Sequence, residues 1–215
     1  MIPSMKISGL YAITPDHADT GLLVRQVRAV LAGGAQALQY RNTIADARTR
    51  LEQAGALRTL CQTYAALFII NDDIALAARV GADGAHLGKH DASMKNARAA
   101  LGAGKIIGVS CYDNLGRARN AAAQGADYIA FGSFFPSPTK PAAVRPGLDL
   151  LQEARRQLTL PLVAIGGIDL HNAPMAIAAG ADAVAVISAL FTATDIEAAA
   201  RGFCGLFASK NYDFA

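Results

Sequence analysis

Side chains able to do chemistry fall in short clusters, each within or directly after a brief apolar run. Gln39 and Arg41 close the run at 37–40, Asn71, Asp72 and Asp73 follow 68–70, and His86 and Asp91 lie in and after 84–87. Ser110 and Cys111 follow 106–109, Gly166-Gly167 follows 162–165, and Ser188 follows 183–187. Asp72 and Asp91 are candidate ligands for a hard cation such as Mg2+, which takes carboxylate oxygens, keeps several waters and bridges phosphates. Asp73, directly before Ile74-Ala75-Leu76, reads as a helix cap instead. Asn71 has an amide that suits either a heterocycle edge or its own turn. Gly166-Gly167 and Ile187-Ser188 offer main-chain N–H groups, and glycine lets phosphate oxygens approach them closely. The Pro-rich stretch after Gly132 sets Lys140 among hydroxyls and reads as a lid over 132–146 that keeps water out. His86 reads as inward-packed and structural, and Cys111, with no evident base, as packing. His17, His90 and His171 lack ligand spacing.

The elements that must position these clusters are short strands alternating with alanine-rich amphipathic stretches. The strands are expected at 10–13, 37–40, 68–70, 84–87, 106–109, 128–131, 162–165 and 183–187, with helical stretches such as 19–32, 45–65 and 113–123 between them. The runs are too uniformly apolar for a one-sided antiparallel sheet and read as parallel strands buried on both faces. Gly34-Ala35, Gly81-Ala82, Gly125-Ala126 and Gly180-Ala181 each close a helix ahead of a strand, about two βα units apart. Four such pairs give eight units, the count for a closed (β/α)8 TIM barrel rather than an open doubly wound sheet. The first strand runs into Thr14-Pro15-Asp16 and not into a glycine-rich dinucleotide turn. No Ser- or Pro-rich linker divides the chain, so residues 1–215 read as a single domain. In this fold the C-terminal strand ends carry the chemistry, where every cluster above lies. The opposite ends read as mostly Ala, Gly and a few surface groups.

Composition narrows the class. Of 215 residues 53% are hydrophobic and 17% charged, which excludes disorder, a charged coiled coil and a collagen-like chain. Mean hydropathy is positive, but much of it is alanine, and no stretch approaches the roughly 18–20 apolar residues of a membrane span. The start, MIPSMKISGLYAITPD, has no long apolar stretch with a cleavage site and reads as no signal peptide. Cys61, Cys111 and Cys204 are far apart and odd in number, which fits neither a disulfide frame nor a zinc cluster. A net charge of +3 and the absence of Trp give no nucleic-acid signal. The expectation is a cytoplasmic enzyme acting on small molecules, with no membrane or nucleic-acid partner; a homo-oligomer is compatible with it.

LQYR (38–41), INDD (70–73), GAHLGKHD (84–91), GVS (108–110), PSPTK (136–140), AIGGI (164–168) and AVIS (185–188), in this order and spacing, make the chain resemble the thiamine-phosphate synthase (thiamine-phosphate pyrophosphorylase) family. The resemblance runs from about Gly9 to Phe207. It implies a Mg2+-dependent transferase that joins hydroxymethylpyrimidine diphosphate to a thiazole phosphate, releasing pyrophosphate and forming thiamine phosphate. By motif, Gln39, Arg41, Asn71, Ser110 and Lys140 would hold the pyrimidine diphosphate, and Asp72 and Asp91 the metal. Ser137, Thr139, Gly167, Ile187 and Ser188 would hold the thiazole phosphate. Tyr40, Asn42, Thr43 and Pro138, inside the same stretches, complete the substrate-binding set; Arg41, Ser110 and Lys140 would be the catalytic residues. The family usually reads QxRxK after the second strand, and here Thr43 stands where the lysine is expected. The rival readings are a thiazole tautomerase of the same superfamily, which would not need paired metal carboxylates, and a non-catalytic ligand-binding regulator.

Overall fold

Short polar side chains set where the helices begin. Asp19, Asp46, Asp73, Ser93 and Asn114 each accept a hydrogen bond from the backbone N–H three residues on, filling one of the donors a helix start leaves open. The computed structural model describes residues 6–88, 93–136 and 145–208. The strands are β1 (Gly9–Ile13), β2 (Ala37–Tyr40), β3 (Leu67–Asn71), β4 (Gly84–Leu87), β5 (Ile106–Tyr112), β6 (Tyr128–Phe131), β7 (Leu162–Ile165) and β8 (Ala183–Val186). The helices are α1 (Thr20–Ala32), α2 (Ala47–Thr63), α3 (Ile74–Arg79), α4 (Met94–Leu101), α5 (Leu115–Ala123), α6 (Asp149–Gln157), α7 (Ala173–Ala178), α8 (Ser188–Phe191) and α9 (Ile196–Ala208).

Every neighbouring pair of strands is parallel, and β1 pairs with β8, so the sheet closes in sequence order into a (β/α)8 barrel. This is the architecture that the glycine–alanine repeat predicts. Side chains alternate across the wall. Tyr11, Ile13, Leu67, Ile69, Tyr128 and Val163 belong to a cluster inside the barrel, while Leu10, Leu38, Phe68 and Ile70 pack under the helices. Among the described residues no helix is long and apolar enough to cross a membrane.

Three strands are longer than the apolar runs indicate, β1 by Gly9 alone. β3 extends to Asn71, and β5 runs on to Tyr112. In β5 the register against β6 shifts between Ser110 and Tyr112, so Ser110 pairs with Ala130 and Tyr112 with Phe131. Cys111 is the additional residue of this bulge, a feature that redirects side chains at barrel rims. The doublet Ser110-Cys111 therefore belongs to the strand rather than to a turn.

The repeat has a physical purpose that goes beyond closing helices. The residue after Gly-Ala is Asp83, Asp127 or Asp182, at the end of the barrel read from sequence as chemically bland. Each Oδ2 accepts from the first part of the preceding strand: Phe68 N at 2.8 Å, Ile107 N at 2.7 Å and Leu162 N at 2.8 Å. Each also binds an arginine of an even-numbered helix, Arg58 of α2, Arg98 of α4 or Arg155 of α6. In the first copy Gln36 takes the aspartate's place and accepts from Ser8 Oγ at 2.8 Å. These clips tie helix, strand and strand together every second unit. Asp83→Ala is expected to lower the denaturant midpoint by the equivalent of about 1–3 kcal/mol without changing the slope, since it strands the Phe68 N–H and Arg58. Asp83→Asn, which keeps an acceptor for that N–H, should lose less.

Candidate active site

The strand ends open on one cavity of about 1060 Å3 at the C-terminal mouth of the barrel. That is the size of a generous small-molecule site. Gln39, Arg41, Asn71 and Ser110 line one side, and Gly167, Ile187 and Ser188 line another. Seven of the residues singled out from sequence therefore meet around a single space. Arg41 lies at its edge with its side chain about a third exposed, and its Nη1 sits 3.2 Å from Asp16 Oδ2. Asp16 also accepts from the Thr43 backbone N–H at 2.6 Å and the Thr43 hydroxyl at 3.0 Å. Thr43 is thus an exposed residue bound to the carboxylate that holds Arg41.

Burial works to raise the Asp16 carboxyl, but the Thr43 hydrogen bonds and the Arg41 charge outweigh it and hold the group below the usual carboxylate range. A carboxyl depressed on folding stabilises the protein above its unfolded pKa, near 4, and loses that contribution as pH falls through the folded value. Asp16→Asn is accordingly expected to flatten part of the acid limb of a stability-against-pH curve, read as thermal midpoints between about pH 2 and 5.

Asn71 and Asp72 sit at the end of β3. Asn71 Nδ2 donates to Asp72 Oδ2 at 2.6 Å, and Asp72 takes a left-handed backbone (φ 62°) while its N–H donates to His86 O. Asp73 caps α3, as its position predicts. Asp91, Ser137, Pro138, Thr139 and Lys140 lie outside the described residues, as does most of the expected lid. Among the described residues, no group of three or more His, Cys, Asp or Glu side chains could hold a metal by itself.

The glycine pair has a packing reason as well. At Gly167 (φ 63°) a Cβ would come within 2.2 Å of Pro136 O and 2.6 Å of Phe135 O, so the 133–136 segment lies directly on this turn. Farther along the rim, α8 begins after Ile187 with no side chain capping it, which leaves first-turn N–H groups beside the cavity.

Three residues of the expected binding stretch place their side chains elsewhere: Thr43, held on Asp16, together with Tyr40 and Asn42. Tyr40 is buried and donates its hydroxyl to Gln53 Oε1 of α2 at 2.8 Å. Asn42 Nδ2 donates to the same oxygen at 2.9 Å and to His17 O. Strand alternation explains both: Gln39 and Arg41 face the mouth, so the even positions turn outward to the helix layer. Neither side chain lines the cavity.

Sequence reasoning passed over Arg117. Its Nε donates to Ser110 O and its Nη2 to Gly88 O, both at 2.8 Å, and it borders the cavity. The available signal was its place three residues after the cap Asn114, since every helix of such a barrel starts near the mouth. Tyr11, which borders the cavity, was also missed, because a tyrosine in an apolar strand reads as core. Cys111 is buried, which pushes its thiol up to about 11 despite Arg117 nearby, so it is no nucleophile near neutral pH.

Comparison with known proteins gives a consistent result. The model of the thiamine monophosphate synthase family matches residues 10–190. A thiamine-phosphate synthase of Methylobacillus flagellatus is 60% identical over 201 residues, covering 94% of this chain and 96% of its own length. The corresponding protein of Chromobacterium violaceum is 52% identical over 205 residues, covering 95% and 99%. Among solved structures, a thiamine phosphate pyrophosphorylase from Pyrococcus furiosus superposes with a TM-score of 0.83 at 37% identity, covering 94% of this chain and 96% of that one.

Proposed function

Since the chain belongs to the thiamine monophosphate synthase family, we propose that it joins hydroxymethylpyrimidine diphosphate to thiazole phosphate, releasing pyrophosphate and forming thiamine phosphate. The observation that carries this reading is the two-sided cavity. An amide, an arginine and a hydroxyl face one part of it, and glycine-rich main chain with an uncapped helix start faces another. Gln39, Asn71 and Ser110 bind the pyrimidine end, and Arg41 and Lys140 bind its diphosphate. Gly167, Ile187 and Ser188, joined by Ser137 and Thr139, bind the thiazole phosphate.

Asp72 fits a divalent cation in donor chemistry. Its carboxylate supplies hard oxygen donors and is bonded to Asn71, which lines the cavity, and Mg2+ held against phosphates needs only one or two protein carboxylates. Asp72 and Asp91 would hold the ion, whose charge would offset that of the departing pyrophosphate. Arg41 and Lys140 take up the rest of that charge as the C–O bond breaks, where their attraction grows most. The electron-rich aminopyrimidine carries the positive charge left on its methylene carbon. The thiazole nitrogen, positioned through its own phosphate, captures that carbon and forms the new C–N bond. Catalysis is positioning and leaving-group stabilisation with no covalent enzyme intermediate. The three free cysteines support a reducing compartment, the cytoplasm.

Incubation with both substrates and Mg2+, with thiamine phosphate read by fluorescence after oxidation, tests the reading. Product that requires all three components is expected. Absence of product with folded protein and both substrates bound overturns it.

A further inference from the structure

Four hydrogen bonds run in an unbroken line beneath the cavity. Gln39 Nε2 donates to the Tyr11 hydroxyl, the hydroxyls of Tyr11 and Tyr128 meet, Tyr128 meets His86 Nδ1, and His86 Nε2 meets Ser110 Oγ, each at 2.8 Å. Gln39, Tyr11, His86 and Ser110 border the cavity, Tyr128 lies behind them, and both tyrosines and His86 are buried. The rings are fixed by contact: Tyr11 meets Tyr128 edge-on at 5.9 Å, and His86 lies 5.5 Å from Tyr128 between centroids. Gly108 leaves room for the Tyr128 ring, since a Cβ there would come within 1.9 Å of Cζ.

Proton counting restricts this line. Burial pushes both phenols above their ordinary range, so each keeps its one proton. A neutral imidazole has one N–H and one lone pair in the ring plane. Among the described residues neither tyrosine hydroxyl has an acceptor outside the line, so its proton must go along it. Two arrangements satisfy every link. In one, Gln39 NH2 donates to Tyr11, Tyr11 to Tyr128, Tyr128 to His86 Nδ1, and His86 Nε2–H to Ser110. The cavity then meets the Gln39 carbonyl as acceptor and the Ser110 hydroxyl as donor. In the other, the amide is turned over and every bond reverses, so Gln39 offers a donor and Ser110 an acceptor.

We propose that this relay couples the Gln39 amide to the His86 tautomer, making Tyr11, Tyr128 and His86 positioning residues that select an amino over an oxo substituent on the pyrimidine. The inference rests on the function proposed above. An amino substituent donates to Gln39 Oε1, which sets the relay so that the Ser110 hydroxyl donates to a ring nitrogen. An oxo substituent demands the Gln39 NH2, which reverses the relay and leaves Ser110 an acceptor; the oxo ring carries its one N–H on the nitrogen beside the carbonyl, so at the far nitrogen, the one assigned to Ser110, acceptor meets lone pair. A single exchange on the ring therefore leaves a mismatch at one end of the line whichever way the relay runs.

The test uses the full-length protein with Mg2+ and thiazole phosphate, comparing the 4-aminopyrimidine diphosphate with its 4-oxo analogue. Tyr128→Phe, which keeps the ring and cuts the relay, is expected to lower the amino-over-oxo ratio of kcat/KM by at least about tenfold, because one mismatched buried hydrogen bond is worth about that much. Tyr11→Phe should do the same. In the wild type with 15N-labelled histidine, the His86 signal, identified by its loss in His86→Gln, should show Nε2–H with the amino compound and Nδ1–H with the oxo compound. A ratio unchanged while both rates fall together overturns the proposal, as does an imidazole that is doubly protonated or has the same tautomer with both ligands. Thiamine phosphate formed with an indifferent His86 overturns this inference alone. Failure of the amino compound to bind or react overturns the functional reading and this inference with it.

Discussion

Replacing Arg41 with methionine is expected to lower kcat by about 10²- to 10³-fold, the size seen when one preorganised charge-stabilising donor is removed. Arg41 reaches the cavity from the end of β2, and Asp16 and the Thr43 contacts behind that carboxylate hold its position. Its partner in the proposed reaction gains charge only as the bond to the diphosphate breaks. The lost interaction should therefore appear mainly in kcat and less in KM for thiazole phosphate. Methionine keeps the apolar stem, so packing against the strand survives. Arg41→Lys restores a charge without the planar fork and should recover only part of the rate. Steady-state kinetics with each substrate saturating in turn checks this. An intact kcat with a raised KM for thiazole phosphate alone would place Arg41 in the other half of the cavity.

Asp72→Asn is expected to raise the Mg2+ concentration for half-maximal activity by about tenfold or more and to lower the maximal rate. The substitution removes the charge from the carboxylate proposed to hold the ion and keeps its shape. It is also gentle on the fold. Asp72 has a left-handed backbone, and asparagine tolerates that conformation as well as aspartate does. Circular dichroism and thermal midpoint should stay close to wild type while the magnesium titration shifts. A superimposable titration would remove Asp72 from the metal site.

The barrel was legible because its signal is repeated. Four Gly-Ala pairs and eight apolar runs point to the same closed sheet, and all eight strands form where the runs lie. The ends were less legible, since hydrophobicity cannot show that Asn71 and Ser110 continue a strand or that Cys111 is a bulge. The aspartates of the repeat were missed for a related reason. Their partners are a backbone N–H on an earlier strand and an arginine on an earlier helix, contacts that exist only after closure. In the site, their place at the end of an apolar run gave Gln39 and Arg41, while alternation along β2, which the sequence reading did not apply, sends the side chains of Tyr40 and Asn42 outward. His86 was read as buried and structural. It is buried, but both ring nitrogens are engaged and Ser110 is one of the partners. Its role as a link could not be read before Tyr128 was known to face it.

In the proposed reaction the pyrimidine methylene carbon passes from pyrophosphate to the thiazole nitrogen without meeting water. The most direct measurement is the ratio of pyrophosphate released to thiamine phosphate formed, followed from single turnover to steady state, with and without thiazole phosphate. One pyrophosphate per thiamine phosphate is expected throughout, with no more than a trace of pyrophosphate when the thiazole is left out. Rapid pyrophosphate release without thiazole phosphate, accompanied by the free hydroxymethylpyrimidine, would contradict it.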